Sequence, residues 1–395
     1  MLNKIISPWP SFTQEEANAV SKVLLSNKVN YWTGTEGREF EKEFARWAGC
    51  EYAVALANGT VALDLAFKAL GVGEGDEVIV TSRTFLASAS SIVTAGAVPV
   101  FVDVSLDSQN ITVESVRGKI TPKTKVILCV HLAGWPCEMD AMMALADEFG
   151  LYVVEDCAQA HGAKYKGRSV GSIGHIGCWS FCQDKIMTTG GEGGMVTTND
   201  HELWSKMWSY KDHGKSWSSV YEKNHPPGFR WLHDSFGTNW RMTEMQAAIG
   251  RIQLKCMPEW SRSRQANASE IWQTARKCSG LRVPSMPDYI EHAAYKCYVF
   301  VEPETLNVDW SRDRIMAEIN ALGVACFSGS CSEVYLEKAF DKSGFRPAER
   351  LVNAQELGEA SLMFLVHPTL TELEINQTCE AIKQIMALAS SGLES

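Results

Sequence analysis

Between residues 50 and 200, short β-branched apolar runs alternate with stretches whose apolar residues recur at helical spacing. No other feature of the 395-residue chain constrains its fold as much. The runs lie at Glu77–Val80, Val98–Val104, Lys125–His131, Leu151–Glu155, Gly177–Phe181 and Met195–Thr198; helical stretches at Val61–Leu70, Ala87–Ala95 and Met139–Phe149 lie between several of them. Strands that read as continuous apolar runs, separated by helices, predict an α/β fold with a mainly parallel sheet covered on both faces. In such sheets ligands bind beyond the carboxyl ends of the strands. Ahead of this region, Thr13-Gln14-Glu15-Glu16 has the spacing of a capping box and opens a helix. After Met257-Pro258 the pattern changes to a polar helix (Trp260–Cys278), prolines at 284 and 287, one strand (Tyr298–Val301) and two further helices. The expected division is a large domain over residues 14–257 and a smaller α+β domain over 258–395, with residues 1–13 packing against the latter.

Apolar residues make up 45% of the chain, enough to bury a sizeable core and to exclude a disordered protein. The formal net charge of −10 argues against nucleic acid or an anionic membrane as partner, since both call for a basic face. No apolar run approaches ~18 residues, and Met1–Pro10 lacks a secretory h-region, so a soluble cytoplasmic protein is expected. The 12 cysteines then read as thiols in a reducing compartment. Cys178 and Cys182 stand four apart and His213, His225 and His233 at irregular intervals; with no C-x-x-C pair or H-E-x-x-H helix, no metal site is expected.

Three groups at strand ends carry chemistry. Asn58-Gly59-Thr60 opens a helix, where unpaired N–H groups suit a phosphate, although a plain N-cap has the same appearance. Glu155-Asp156-Cys157-Ala158-Gln159-Ala160-His161-Gly162 follows a buried strand, so its acid is either an active-edge carboxylate or a turn aspartate. Lys185 lies between Ser180-Phe181 and the glycine-dense Gly190–Gly194, as a phosphate binder, a Schiff-base lysine or a solvated side chain. The loop lacks the G-x-x-x-x-G-K-[ST] pattern, and no G-x-G-x-x-G follows the first strand. A lysine for an aldehyde, a carboxylate for a pyridinium nitrogen, and a helix N-terminus with a serine for a phosphate together specify pyridoxal 5'-phosphate.

The order and spacing of these pieces resemble the DegT/StrS-type sugar aminotransferases, a branch of the fold-type I pyridoxal-phosphate enzymes. The resemblance is carried by Asn58-Gly59-Thr60, Gly73–Val78, Thr84-Phe85, Gly96–Asp103, Glu155-Asp156 with Ala158–Ala163, Ser180-Phe181 and Lys185, Gly191–Gly194, and Gly237–Met242. It implies a seven-stranded, mainly parallel sheet in the large domain. It implies that Lys185 forms the Schiff base and shuttles protons, that Asp156 pairs with the pyridinium nitrogen, and that Gln159 bonds the ring hydroxyl. Phe85 would stack on the ring; Gly59, Thr60 and Ser180 would hold the phosphate; Asn239 would reach it from the partner in a homodimer with shared sites. His161 and Arg241 match the pattern as substrate-side or structural polar residues. No role is assigned to Cys157, Cys178 or Cys182.

The chain departs from the commonest pattern at Cys182-Gln183-Asp184, at Ala325–Cys331 (in place of a His-Tyr-Pro segment) and at Arg83. A guanidinium two residues from Phe85 is either an ordinary surface or interface arginine or a fork that would suit a carboxylate on the acceptor. The sequence is similar to the subgroup that aminates the oxidised carbon 8 of 3-deoxy-octulosonate (Kdo) to 8-amino-3,8-dideoxyoctulosonate for lipopolysaccharide, with L-glutamate as donor. The alternatives are a nucleotide-linked keto-6-deoxyhexose as acceptor, a sugar dehydratase, which Lys185 disfavours, and a non-enzymatic regulatory descendant.

Overall fold

The computed structural model describes residues 6–390; the expectations for residues 1–5 and for the part of the smaller domain beyond 390 lie outside the described residues. Seven strands form the main sheet: β1 (Tyr52–Leu56), β2 (Glu77–Thr81), β3 (Val98–Val102), β4 (Thr124–Val130), β5 (Tyr152–Asp156), β6 (Ile176–Ser180) and β7 (Gly194–Thr198). Their order is β1-β7-β6-β5-β4-β2-β3. Strand β7 runs antiparallel to both of its neighbours, and the other pairings are parallel. The sheet is mixed but mostly parallel, as expected. The six apolar runs are all strands; β1 is the seventh, and its Tyr-Ala-Val-Ala-Leu sequence carries too little β-branching to stand out.

Both faces are covered. Val78 and Val80 point into a core closed by α3 (Gly59–Ala69), α4 (Leu86–Thr94) and α6 (His201–Tyr210). Ile79, Ile127 and Val153 point the other way, onto α5 (Met139–Phe149). This is the period-2 alternation of a strand applied to a sheet with two buried faces. Under α2 (Glu36–Ala48), Phe40, Phe44, Trp179 and Phe181 form an aromatic cluster with centroids 5.2–5.8 Å apart.

The C-terminal region builds a second, antiparallel sheet in the order β8-β9-β11-β10, from β8 (Leu281–Arg282), β9 (Cys297–Val301), β10 (Cys326–Phe327) and β11 (Ser361–Phe364). Its core includes Val299, Leu362, Ile315 from α8 (Arg312–Ala321) and Ile382 from α9 (Glu372–Ala389). The polar helix expected to start at Trp260 starts at Glu244 instead. This α7 (Glu244–Ala275) runs for 32 residues with Pro258 inside it. Pro258 removes one N–H donor but does not stop the helix, so the 257/258 junction falls within an element common to both sheets. Of the N-terminal residues, Ser7 donates its N–H and hydroxyl to Glu374 at 2.7 and 2.9 Å, which places it against α9.

Candidate active site

A cavity of about 550 Å³ opens at the carboxyl ends of β4, β5 and β6; Asn58, Gly59, Thr60, Phe85, Asp156, Gln159, Ser180 and Lys185 all line it. Eight sequence-predicted residues thus meet in one place.

The phosphate end is built by close packing. Asn58 caps α3 by accepting the Val61 N–H at 3.0 Å, which leaves the first-turn N–H groups of Gly59 and Thr60 without intrahelical acceptors. A Cβ on Gly59 would stand 2.5 Å from Ser180 Cβ and 2.8 Å from Ser180 Oγ. Only glycine lets the helix end approach β6 this closely. The result is a cradle of two N–H groups and a hydroxyl at the positive end of a helix.

Asp156 ends β5 and is nearly inaccessible. Its Oδ2 accepts from Ser88 Oγ at 2.8 Å and its Oδ1 from the Ala158 N–H at 3.1 Å. Burial pushes its carboxyl above the ordinary value; the Ser88 hydroxyl, the Ala158 N–H and the Lys185 charge pull the other way. A buried carboxylate on a cavity wall is what a ring N–H cation would complete. Gln159 Oε1 accepts the Ala133 N–H at 2.8 Å, so its amide NH₂ is the end left for a ligand oxygen. Phe85, at the N-cap of α4, is 70% exposed on the cavity wall, an apolar face with no protein cover.

Lys185 lies in a turn closed by its own N–H to Cys182 O at 3.1 Å, and its carbonyl accepts Trp9 Nε1 at 2.9 Å. The loop is tied down further along: Thr188 N–H donates to Gln253 Oε1 of α7 at 2.8 Å, and Gln253 donates to Glu16 at 2.8 Å. These bonds hold a lysine loop that has no regular secondary structure of its own. Phosphate cradle, buried carboxylate, amide donor, exposed aromatic face and lysine fit pyridoxal 5'-phosphate in every part.

The remaining predicted residues lie elsewhere. Arg83 does not line the cavity. Its guanidinium is buried, donating to Gln109 Oε1 at 2.9 Å, Ser332 Oγ at 2.7 Å and Ser361 Oγ at 2.8 Å. The fork expected to meet a substrate carboxylate instead braces the Phe85 loop against the C-terminal sheet, where Thr84 N–H also donates to Cys331 O at 3.2 Å. His161 is buried against Trp179 and Phe181, both ring nitrogens have no hydrogen-bond partner among the described residues, and burial holds it neutral with a pKa lowered to about 3. It does not line the cavity. Arg241 donates to Asp212 Oδ1 at 2.6 Å and is also absent from the cavity wall. Asn239 is exposed and does not line the cavity of its own chain.

Cys178 and Cys182 line the cavity and Cys157 is buried beside it. His131, Glu155 and Cys157 cluster within 4.8 Å. Hydrogen bonding accounts for this trio: Glu155 accepts from His131 at 2.9 Å and from the N–H groups of Gly171, Ile173 and Gly174. Ser88 was not anticipated, and its one sequence signal is a place one helical turn after Phe85. Asp184 and Tyr295 were also unforeseen as a pair: the Tyr295 hydroxyl donates to Asp184, across a separation of 111 residues.

The DegT/DnrJ/EryC1/StrS aminotransferase family model matches residues 10–383. The chain is 43% identical to the GDP-perosamine synthase of Escherichia coli O157:H7 over 67% of this chain and 69% of that protein. It is 34% identical to the UDP-N-acetyl-3-dehydro-alpha-D-glucosamine 3-aminotransferase of Acidithiobacillus ferrooxidans, over 94% of each. The crystal structure of the aminotransferase from Psychrobacter cryohalolentis superimposes with a TM-score of 0.96 at 66% identity, covering 97% of this chain and 99% of that one. With this match along nearly its whole length and a cavity that fits the family's pyridoxal 5'-phosphate part by part, the chain belongs to the DegT/DnrJ/EryC1/StrS family of sugar aminotransferases.

Proposed function

We propose that this aminotransferase moves an amino group from L-glutamate to the keto carbon of a nucleotide-linked sugar. The observation that carries the acceptor class is that the relatives named above are a GDP-perosamine synthase and a UDP-linked 3-aminotransferase, proteins whose names share a nucleotide-linked sugar. The octulosonate reading drew on Arg83 as a carboxylate fork, and that fork is fully engaged inside the chain.

When bound, the cofactor supplies an electron sink for the reacting carbon. The chain's own residues do the rest. Gly59 and Thr60 N–H groups and the Ser180 hydroxyl hold the phosphate. Asp156 keeps the ring nitrogen protonated by accepting from it, the Gln159 amide donates to the ring oxygen, and Phe85 covers one ring face. Lys185 Nζ takes up and returns the proton at the reacting carbon. Asn239 completes the phosphate site from a second copy. Phe229, Trp231 and Phe236, just before it in sequence, are strongly exposed in the single chain, a surface suited to burial in a homodimer.

The test is a 2-oxoglutarate release assay with L-glutamate and a panel of GDP-, UDP- and dTDP-linked keto sugars beside octulosonate oxidised at carbon 8. Turnover with a nucleotide-linked member is expected. Turnover with the octulosonate alone would overturn the acceptor assignment.

A further inference from the structure

Asp184 and Lys185 are adjacent in sequence, yet both reach the cavity wall, because the tight turn at Cys182–Lys185 places consecutive side chains on one side. The two oxygens of Asp184 are used differently. Oδ2 accepts the Tyr295 hydroxyl, and Oδ1 lies 3.7 Å from Lys185 Nζ. Lys185 Nζ also stands 5.3 Å from the centroid of the Tyr295 ring. Tyr295 is itself fixed: it is buried, and its N–H donates to Ala133 O at 3.0 Å. One residue of the C-terminal region therefore holds the carboxylate and flanks the amine.

The other ionisable groups around Lys185 are arranged differently. Asp156 lines the same cavity, with its oxygens occupied by Ser88 and Ala158. His161 is buried and neutral behind the loop. Lys296 Nζ lies 4.9 Å from the Tyr295 ring centroid and adds positive charge to the neighbourhood. Among the described residues, Asp184 is the one carboxylate within 4 Å of Lys185 Nζ.

We propose that Asp184, pinned by the Tyr295 hydroxyl, is a positioning residue for the amino transfer: its free oxygen receives the Lys185 ammonium whenever that amine is released from the cofactor. The inference rests on Lys185 being the proton-moving lysine. A lysine on a four-carbon stem must otherwise find its place again after each release. An anion beside it fixes where that charge sits. The Tyr295 bond stops the carboxylate from turning both oxygens to solvent, to which the Asp184 side chain is 58% exposed.

The test uses the full chain loaded with pyridoxamine 5'-phosphate, which leaves the Lys185 amine free. Competitive labelling with acetic anhydride at fixed pH, read by mass spectrometry of the Lys185 peptide, gives the reactivity of that amine relative to the exposed Lys119. Asp184→Asn is expected to raise the labelling of Lys185 relative to Lys119 several-fold, because the amine is no longer held against a carboxylate. In turnover, Asp184→Asn is expected to lower kcat about 10-fold with the donor KM within twofold, and Asp184→Glu to recover part of the loss, as expected for a charge-assisted contact. A folded Asp184→Asn protein whose Lys185 labelling equals wild type would overturn the proposal. Because labelling does not depend on turnover, that result is distinct from failure of the Lys185 assignment itself, which would show as activity retained in Lys185→Ala.

Discussion

Ser88 donates its hydroxyl to Asp156 Oδ2 over 2.8 Å, and the same hydroxyl lies 2.9 Å from Thr84 Oγ1. The loop that carries Phe85 and the carboxylate proposed to pair with the ring nitrogen are thus joined through one serine. Burial raises the Asp156 carboxyl and the Ser88 bond opposes that rise. Ser88→Ala removes the opposition, so Asp156 becomes protonated at a higher pH than in wild type. The acid limb of the kcat–pH profile is expected to move upward, with kcat near neutrality falling roughly 10-fold for one lost bond to a charged group. An unmoved acid limb would show that Ser88 does not govern the charge of Asp156.

Lys185→Ala removes the amine proposed to move the proton. Both half-reactions are expected to vanish: no 2-oxoglutarate from glutamate, and no amination of the acceptor. Turnover at the wild-type rate in a paired assay would contradict the site assignment.

Gly59→Ala tests the cradle. The added Cβ meets Ser180 at 2.5–2.8 Å, so the helix end must retreat from β6. Reconstitution of cofactor-free protein with pyridoxal 5'-phosphate, followed by visible absorbance, is expected to show an apparent Kd raised ~10-fold or more, the equivalent of one bond to a charged phosphate oxygen. An unchanged Kd would mean that the phosphate does not use this approach.

Arg83 is a brace. Arg83→Ala leaves Gln109, Ser332 and Ser361 without their donor and is expected to cost about 2–4 kcal/mol in denaturant unfolding, a sum of buried hydrogen bonds moderated by relief of guanidinium burial. The KM for glutamate is expected to stay within twofold in protein that remains folded. A normal stability with a greatly raised acceptor KM would restore Arg83 to substrate binding.

His161 gives a pH signature. Its folded pKa is lowered to about 3, whereas an unfolded histidine titrates near 6.5. The unfolded chain therefore binds the proton first, and the stability associated with neutral His161 is lost as pH falls below ~6.5. Between pH 6.5 and 5 this amounts to about 2 kcal/mol. His161→Phe keeps an aromatic ring between Trp179 and Phe181 without a titrating group. Denaturant midpoints are expected to fall less over that interval in the variant than in wild type, and parallel pH dependence would refute the account.

The sheet was legible because its strands are buried on both faces and so read as unbroken apolar runs. The cofactor side was legible for a related reason: Asn58–Thr60, Asp156–Gln159 and Ser180–Lys185 each lie where a strand ends and a helix or turn begins, so local sequence already places them. Strand β1 escaped because two alanines dilute it. The start of the long helix was misjudged because Pro258 looks like a boundary, while α7 begins at Glu244 and continues through it. The role of Arg83 could not be read locally, since Ser332 and Ser361 lie 249 and 278 residues away. The Asp184–Tyr295 pair was hidden for the same reason.

Helix α7 is a common axle for the two sheets, and an axle has a fixed pitch. At 1.5 Å and 100° per residue, its 32 residues span about 48 Å. A single-residue insertion near Pro258 would swing everything beyond it through roughly 100° about the helix axis. Tyr295 would then leave Asp184, and its N–H would leave Ala133, which holds Gln159. The reading frame of one helix therefore sets the angular alignment of the active site, and this segment tolerates substitution far better than any change of length.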